Sequence, residues 1–146
     1  MNAKTSSFRP EMTPESFNER GAGHLPGLVG LTILSVKPEG LESRVEVRQE
    51  LMAPNGFLHA ASVIALADTS CGYACAANLP QGAVGFTTIE LKANFLGTTR
   101  EGAISCRATP SHLGRTTQVW DAVVTIEGTD KKIAMFRCTQ MVLWPK

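Results

Sequence analysis

At 146 residues the chain has the length of one domain and can bury a substantial apolar core. Apolar residues make up 43% and charged residues 18% of the sequence, with a formal net charge of +1, which argues against a disordered chain and against a broad nucleic-acid-binding surface. The first residues lack the apolar core of a signal peptide, and no uninterrupted apolar run approaches the ~20 residues that span a bilayer. We therefore expect a cytoplasmic protein with no membrane or nucleic-acid partner.

The first 27 residues are predicted to form an N-terminal arm and one short helix. Residues 1–12 are polar and show no periodicity, so they are expected to be a loose arm. Residues 13–20 can form a helix with Thr13 as its cap and Pro14 at its first position. The main domain is expected over residues 28–146. It begins with a hairpin, in which LVGLTILSVK and LESRVEVRQE flank a Pro-Glu-Gly turn at 38–40.

Residues 59–77, HAASVIALADTSCGYACAA, form the one long helical segment of the sequence. Most of these residues are small, so other backbone can approach from nearly every side, as in a central helix wrapped by a sheet. Four predicted strands follow: AVGFTTIELKANFL, GAISCRATP, TTQVWDAVVTIEG and KIAMFRCTQMVLW. The order β-β-α-β-β-β-β predicts an α+β layer fold of the hotdog type, in which an antiparallel sheet curls around one helix.

Asp68 is the single acid inside the helical segment. Asp is a poor helix former, and a carboxylate buried without partners costs several kcal/mol. The flanking residues 66–72 supply no other charge and no obvious polar face. We therefore interpret Asp68 as a functional carboxylate rather than a residue at a solvated turn.

The start of the same helix supplies a complementary group. Its first backbone N–H groups have no intrahelical partner, and the helix dipole makes this end positive, so the amides of Ala60 and Ala61 could stabilise an oxyanion. Eight residues at ~1.5 Å each separate Ala60 from Asp68 by roughly 12 Å, which is too far for one reaction centre. An antiparallel helix from a second subunit would bring the two groups together. The sequence thus predicts a homodimer with two shared active sites.

The stretch NGFLHAASVIALADTSCGYAC resembles the helix signature of hotdog acyl-CoA thioesterases related to phenylacetic acid degradation, which are 4-hydroxybenzoyl-CoA thioesterase-like. In that family Gly-x-x-His-Gly-Gly precedes Leu-Ala-Asp. The similarity covers about residues 28–143 and includes the spacing from His59 to Asp68. It implies hydrolysis of a small or medium acyl-CoA, aromatic acyl groups included, by homodimers paired into homotetramers, without metal or other cofactor.

The resemblance assigns roles to individual residues. Asp68 matches the catalytic carboxylate, which acts as general base on water or as nucleophile. Ala60 matches the residue whose amide polarises the thioester carbonyl, and Ala61 lies beside it in the substrate site. Thr88 matches a Ser or Thr that helps to place the water or the acid, and Asn55 matches an Asn near the leaving group.

The sequence departs from the family where His59-Ala60-Ala61 replaces His-Gly-Gly. Alanine keeps its N–H and is comfortable at helical φ, so the oxyanion donor is retained while the added methyls can narrow the site. This change is expected to affect substrate size and rate more than the reaction itself. We interpret His59 as holding the loop through a side-chain hydrogen bond, with direct acid–base catalysis as its alternative role.

Three cations are candidates for binding the phosphates of CoA. Lys92 and Arg100 lie on or after the third predicted strand, and Arg115 lies in SHLGR, which is predicted to be a turn between strands. Solvated surface charge is the alternative interpretation for each of them.

The four cysteines are expected to be reduced and to pack in the core. They lack further His or Cys ligands at metal-binding spacing, so we predict no metal site. The residues are Cys71, Cys75, Cys106 and Cys138.

Two other functions remain open from the sequence. A hotdog hydratase or dehydratase also pairs a histidine with an acid, although the chain lacks the Asp-x-Asn-Pro-x-His segment usual in those enzymes. A non-catalytic acyl-CoA-binding protein is compatible with the altered glycines.

Overall fold

The computed structural model describes residues 7–146 and confirms the predicted order of the main elements. Two short elements, α2 and a 3-10 turn, were not predicted. The helices are α1 (Pro14–Gly21), α2 (Leu25–Leu28) and α3 (Ala60–Ala77), with the 3-10 turn at Gln49–Leu51. The strands are β1 (Leu31–Lys37), β2 (Gly40–Glu46), β3 (Gly85–Phe95), β4 (Ala103–Leu113), β5 (Thr117–Ile126) and β6 (Lys132–Leu143).

All six strands form one antiparallel sheet in the order β1-β2-β4-β5-β6-β3. The inner face packs on α3, so this is the predicted hotdog arrangement. Small residues on α3 allow the approach, and its larger apolar side chains, such as Leu66, meet Ile104 and Trp120 in a shared core. In length and apolar composition α3 could span a membrane, as core helices often can, and here it lies largely buried under the sheet.

All four cysteines are buried free thiols, as their expected packing role requires. Burial raises the pKa of both Cys75 and Cys106 to about 12, so these two remain protonated at neutral pH.

The N-terminal segment is less loose than predicted. Residues 1–6 of the expected arm lie outside the described residues. In the described part, the backbone N–H of Arg9 donates to the Ala77 carbonyl at 2.8 Å, and its guanidinium donates to the Ala83 carbonyl at 3.0 Å. The last carbonyls of α3 lack intrahelical donors, so an extended segment that supplies one is held in place.

The short helix α1 forms as predicted and packs on α3. Thr13 caps it in a reciprocal capping box with Ser16, and Pro occupies its first turn. Phe17 is fully buried, and its ring stacks on Tyr73 of α3 with centroids 4.4 Å apart. Residues before 28 therefore contribute to the same core as the rest of the domain.

The segment SHLGR is not wholly the turn that we predicted. Residues 111–113 continue β4 beyond a register shift between Pro110 and His112, and the turn begins at Gly114. Proline lacks the N–H for a regular ladder, so the strand bulges there and then resumes. A bulge of this kind resembles a turn when only the local sequence is considered.

We expect Phe17→Ala to lower the free energy of unfolding by about 3–5 kcal/mol, because it removes a fully buried aromatic ring. Urea denaturation of the full chain would measure the change. Glu19→Ala, at an exposed position of the same helix, should stay within about 0.5 kcal/mol of the parent. Equal effects of the two substitutions would show that α1 is an appendage and that the domain begins after it.

Candidate active site

Asp68 lies half-buried in the middle of α3. Its Oδ1 is 3.4 Å from the hydroxyl oxygen of Thr88 on β3. Burial raises the pKa of the Asp68 carboxyl, and a hydrogen bond donated by the Thr88 hydroxyl would lower it. Among residues 7–146, no charged side chain contributes to the shift. A carboxylate that is poorly stabilised in this way is a better acceptor for a proton from water.

Close packing of α3 against β3 brings Thr88 to Asp68. Gly72 lies one turn after Asp68, and a Cβ at this position would be 3.1 Å from the ring of Phe86. Because Phe86 is two residues before Thr88, the absence of a side chain at Gly72 lets this part of the strand approach the helix. The register of β3 then shifts between Thr88 and Glu90, an irregularity of the kind that re-aims side chains beside active sites.

Gln140 is the third member of this polar group, and the sequence analysis missed it. It lies opposite Thr88 on β6 and is fully buried. Its Oε1 accepts a 2.8 Å hydrogen bond from the Thr88 hydroxyl. The available signal was a polar residue in phase with the inward-facing Phe136 and Cys138, since a buried amide must find a partner.

The imidazole of His59 caps the start of α3. Its Nδ1 accepts the N–H of Ala61 at 2.9 Å, so the side-chain hydrogen bond expected of His59 is present. Because Nδ1 is an acceptor, the neutral ring carries its proton on Nε2. The backbone N–H of His59 and the hydroxyl of Ser62 both donate to the Leu51 carbonyl, at 3.0 and 2.8 Å. The helix start is thus fixed from two sides.

This cap determines which helix amide is free. The N–H of Ala61 is occupied by His59, which corrects the expectation that both amides could serve an oxyanion. Among residues 7–146, no group accepts the N–H of Ala60, and Ala60 is exposed. One unpartnered donor at a helix N-terminus therefore faces solvent, and it can bind an oxygen that develops negative charge.

Asn55 and Arg100 lie at the same end of the helix. Asn55 is exposed, and its Oδ1 accepts the N–H of Phe57 at 3.2 Å, which fixes the loop as an Asx turn. Arg100 donates its Nε to the Gly56 carbonyl at 2.9 Å, and its guanidinium carbon is 5.8 Å from the Phe57 ring centroid. An exposed cation is therefore held against the loop that leads into α3.

The other two candidate cations lie elsewhere in the chain. Lys92 is exposed on β3 opposite Arg137, which forms a bidentate ion pair with Asp121. Arg115 lies in the β4–β5 turn and stacks over Trp144, with 4.8 Å between its guanidinium carbon and the ring centroid. Within one chain, neither Lys92 nor Arg115 lies near the start of α3, where Arg100 is found.

An open apolar cleft of about 590 Å³ borders the first two turns of α3. Leu25 and Leu28 of α2 form one wall, and Ala61 and Ala65 lie on the α3 side. The sequence analysis missed this cleft because the four-residue helix α2 has too short a pattern to detect. The remaining lining residues come from the segment before α3 and from its first turn: Val29, Arg48, Glu50, Leu51, Met52, His59 and Ser62.

Apart from Lys92 and Arg115, the predicted site residues fall into two separate groups within one chain, and Gln140 joins the first. Because α3 runs unbroken from Ala60 to Ala77, the Ala60 amide and the Asp68 carboxyl remain roughly 12 Å apart along its axis. One group contains the acid with Thr88 and Gln140. The other group contains the helix start: Asn55, His59, Ala60, Ala61 and Arg100.

Comparison with known proteins identifies the family. Residues 55–133 match the thioesterase superfamily. The 1,4-dihydroxy-2-naphthoyl-CoA hydrolase of Listeria monocytogenes is 30% identical over 111 residues, which cover 76% of this chain and 89% of that protein. A crystal structure of a thioesterase from Haemophilus influenzae has a TM-score of 0.86 at 28% identity and covers 94% of both chains.

A crystal structure of a substituted thioesterase from Pseudomonas aeruginosa has a TM-score of 0.88 at 27% identity, and the match covers 94% of this chain and 99% of that one. None of these three relatives is named for phenylacetic acid degradation, so the comparisons support the superfamily rather than that particular branch. This chain belongs to the thioesterase superfamily and is a thioester hydrolase with a hotdog fold.

Proposed function

We propose that the protein hydrolyses a small or medium acyl-CoA with an apolar or aromatic acyl group, at sites shared between two subunits. The observation that carries the proposal is that the two groups needed for hydrolysis lie on one unbroken helix, too far apart to act on one thioester within a single chain. The Ala60 N–H lacks an acceptor within the described residues, while the carboxylate that hydrolysis requires lies about 12 Å away. An antiparallel α3 from a second copy would complete both groups.

The proposed reaction needs one acid and one donor. Asp68 either takes a proton from water, whose oxygen then bonds the thioester carbon, or attacks that carbon itself, in which case water hydrolyses the acyl–Asp68 anhydride after the thiol has left. The carbonyl oxygen becomes an oxyanion and accepts the Ala60 N–H. The C–S bond then breaks, and the CoA sulfur leaves with a proton. The net change is one thioester and one water converted to one carboxylic acid and one thiol.

The free edge of β3 supports the pairing of two chains. This strand ends the sheet, and beyond β6 it has no partner strand among the described residues. Ile89, Leu91 and Phe95 on β3 are 52%, 41% and 45% exposed, which is costly for large apolar side chains on a strand edge. Antiparallel pairing of two β3 strands would continue the sheet, cover these side chains and place two α3 helices alongside each other.

The apolar cleft supports the choice of acyl group. It starts beside the helix end that would hold the thioester carbonyl, and Leu25, Leu28 and Met52 give it an apolar surface. A volume of about 590 Å³ suits a ring system or a medium alkyl chain. The name of the Listeria relative describes a bicyclic aromatic acyl-CoA, which agrees with this size. Arg100, at the same end, is the cation best placed for a phosphate of CoA.

We expect Asp68→Asn to reduce acyl-CoA hydrolysis by at least ~10², because the amide can neither accept a proton nor attack the thioester. Release of free thiol from a panel of aryl and aliphatic acyl-CoAs measures the effect. Asp130→Asn, the same change in an exposed loop, should retain full activity. Undiminished thiol release by the Asp68 variant would remove this residue from the mechanism.

Replacing Ala60 with proline tests the oxyanion donor. Proline removes the N–H, is tolerated at the first helical position, and suits the extended backbone of His59, with φ −63° and ψ 135°. We expect Ala60→Pro to lower kcat by about 10²–10³, whereas Ala60→Gly retains the N–H and should remain active.

The same variant tests whether the sites are shared. A purified heterodimer of Ala60→Pro and Asp68→Asn chains would contain one intact site of two, so it should recover about half of the parental activity. Thiol release from the heterodimer, compared with each inactive homodimer, gives the result. If both groups of each site came from one chain, mixing the variants would restore nothing.

The raised pKa of Asp68 predicts opposite pH effects on rate and stability. As the base must be ionised, kcat/KM should fall as the pH drops through the raised pKa of Asp68. Burial of the ionised form destabilises the fold, and this cost appears as pH rises through the folded-state pKa. Asp68→Asn should therefore be more stable than the parent near pH 7 but not near pH 4, as measured by urea denaturation. Equal stability differences at both pH values would contradict this account.

A further inference from the structure

The hydroxyl of Thr88 has one proton and two acceptors within reach. It lies 2.8 Å from Gln140 Oε1 and 3.4 Å from Asp68 Oδ1. A distance of 2.8 Å is ordinary for an O–H···O hydrogen bond, whereas 3.4 Å is beyond the usual range. The geometry therefore places the proton of Thr88 on the side of Gln140.

The burial of the two acceptors also places the Thr88 proton on the side of Gln140. Gln140 is fully buried, and its Oε1 would lose its donor if the Thr88 proton turned towards the acid. Asp68 is half-buried, so water or substrate can supply it with other donors. An unsatisfied acceptor costs more in the core than at a partly solvated position. The Gln140 amide nitrogen, in turn, faces Cys138 Sγ at 3.4 Å.

We propose that Gln140 is a positioning residue of the hydrolytic site. Its Oε1 accepts the hydrogen bond that the Thr88 hydroxyl donates, so the Thr88 oxygen faces Asp68 as an acceptor. This inference rests on the proposed function of Asp68. An acceptor oxygen beside a carboxyl group favours its protonated form, because only that form has a proton to donate. Thr88 would then receive a hydrogen bond when Asp68 has taken the proton of the attacking water.

This arrangement favours one of the two routes left open above. In the general-base route, the water proton moves to Asp68, and the new O–H donates to Thr88. In the nucleophilic route, Asp68 forms a covalent bond to the acyl carbon and has no proton for Thr88 to accept. The Gln140–Thr88 pair therefore assists base catalysis in particular.

The other groups around Asp68 do not provide the same effect. Cys71, one turn further along α3, interacts electrostatically with Asp68, and its own pKa is held well above the ordinary value, chiefly by a hydrogen bond with Cys138. It therefore stays a thiol while Asp68 titrates. From β3 the facing group is the uncharged Thr88, and from β6 it is the uncharged Gln140 behind it.

A second buried glutamine provides a matched control. Gln118 pairs with Gln140 in the register of β5 and β6, and both are fully buried. Gln118 accepts a hydrogen bond from Trp120 Nε1 at 2.8 Å and donates to the Asn78 carbonyl at 2.9 Å. It therefore resembles Gln140 in burial and in chemistry, but among the described residues its side chain forms no hydrogen bond with Thr88.

We expect Gln140→Met to free the Thr88 proton, which then turns to the Asp68 carboxylate and stabilises its charge. Titration of ¹³C-labelled aspartate carboxyls by NMR, with the Asp68 signal assigned by Asp68→Asn, should show a lower carboxyl pKa in the variant. The acid limb of kcat/KM should move to lower pH. We expect kcat to fall on the order of tenfold, which is less than the loss caused by removing a positioned base. Gln118→Met should move neither the carboxyl titration nor the acid limb.

A double substitution tests whether the effect passes through Thr88. In a Thr88→Val background, Gln140→Met should cause no further shift of the Asp68 titration, because the hydroxyl that links them is gone. The proposal is overturned if Gln140→Met leaves the Asp68 titration unchanged or raises it, or if Gln118→Met has the same effect. The NMR titration needs no turnover. A parent protein that releases no thiol from acyl-CoA would therefore refute the proposed function while still giving a result for Gln140.

Discussion

The continuity of one helix is the constraint on which the proposed active site depends. The donor at Ala60 and the acid at Asp68 lie on the same unbroken helix, so no local rearrangement can bring them to one thioester carbon. The sheet encloses that helix, and ten of its eighteen residues are buried, so bending it would disrupt the core of the domain. The proposed reaction therefore requires a second chain, although the first chain already has a core of its own.

Within each half of the site, a neighbouring residue uses up a competing hydrogen-bonding group. His59 accepts the N–H of Ala61, which leaves Ala60 as the free donor at the helix start. Gln140 accepts the hydrogen bond of the Thr88 hydroxyl, and in the proposed arrangement this leaves Asp68 poorly stabilised as an anion. In both cases the residue satisfies a hydrogen-bonding group that lies beside the proposed reactive group. For the proposed reaction this leaves one free donor and one poorly stabilised carboxylate, and both are available because their surroundings do not satisfy them.

The parts of this structure that depend on local patterns could be predicted from sequence. The bounds of α3, the Thr13 cap and the order of the strands follow from periodicity, capping and turn residues within a few positions of each other. Asp68 could be identified as a candidate because an acid in a helix of small apolar residues does not contribute to packing. The role of Gln140 could not be predicted, because it depends on which residue of β3 lies opposite β6, and that register includes a shift after Thr88. Contacts between residues distant in sequence, such as the hydrogen bond from Arg9 to Ala77, could not be predicted either, because they depend on how the elements pack.

The two alanines that follow His59 show how selectivity can change without a change in chemistry. No residue other than glycine has a positive φ in the described chain, so the backbone at Ala60 and Ala61 has no conformational need for glycine. Ala61 lines the cleft together with Leu25 and Leu28 of α2. It can therefore reduce the space for an acyl group while the N–H of Ala60 keeps its position. The proposed catalytic groups are fixed by α3 and the sheet, whereas the cleft is bounded on its other side by a short helix on the surface. Substitutions in α2 can thus alter the acyl group that fits, and the positions of Asp68 and the Ala60 amide do not depend on them.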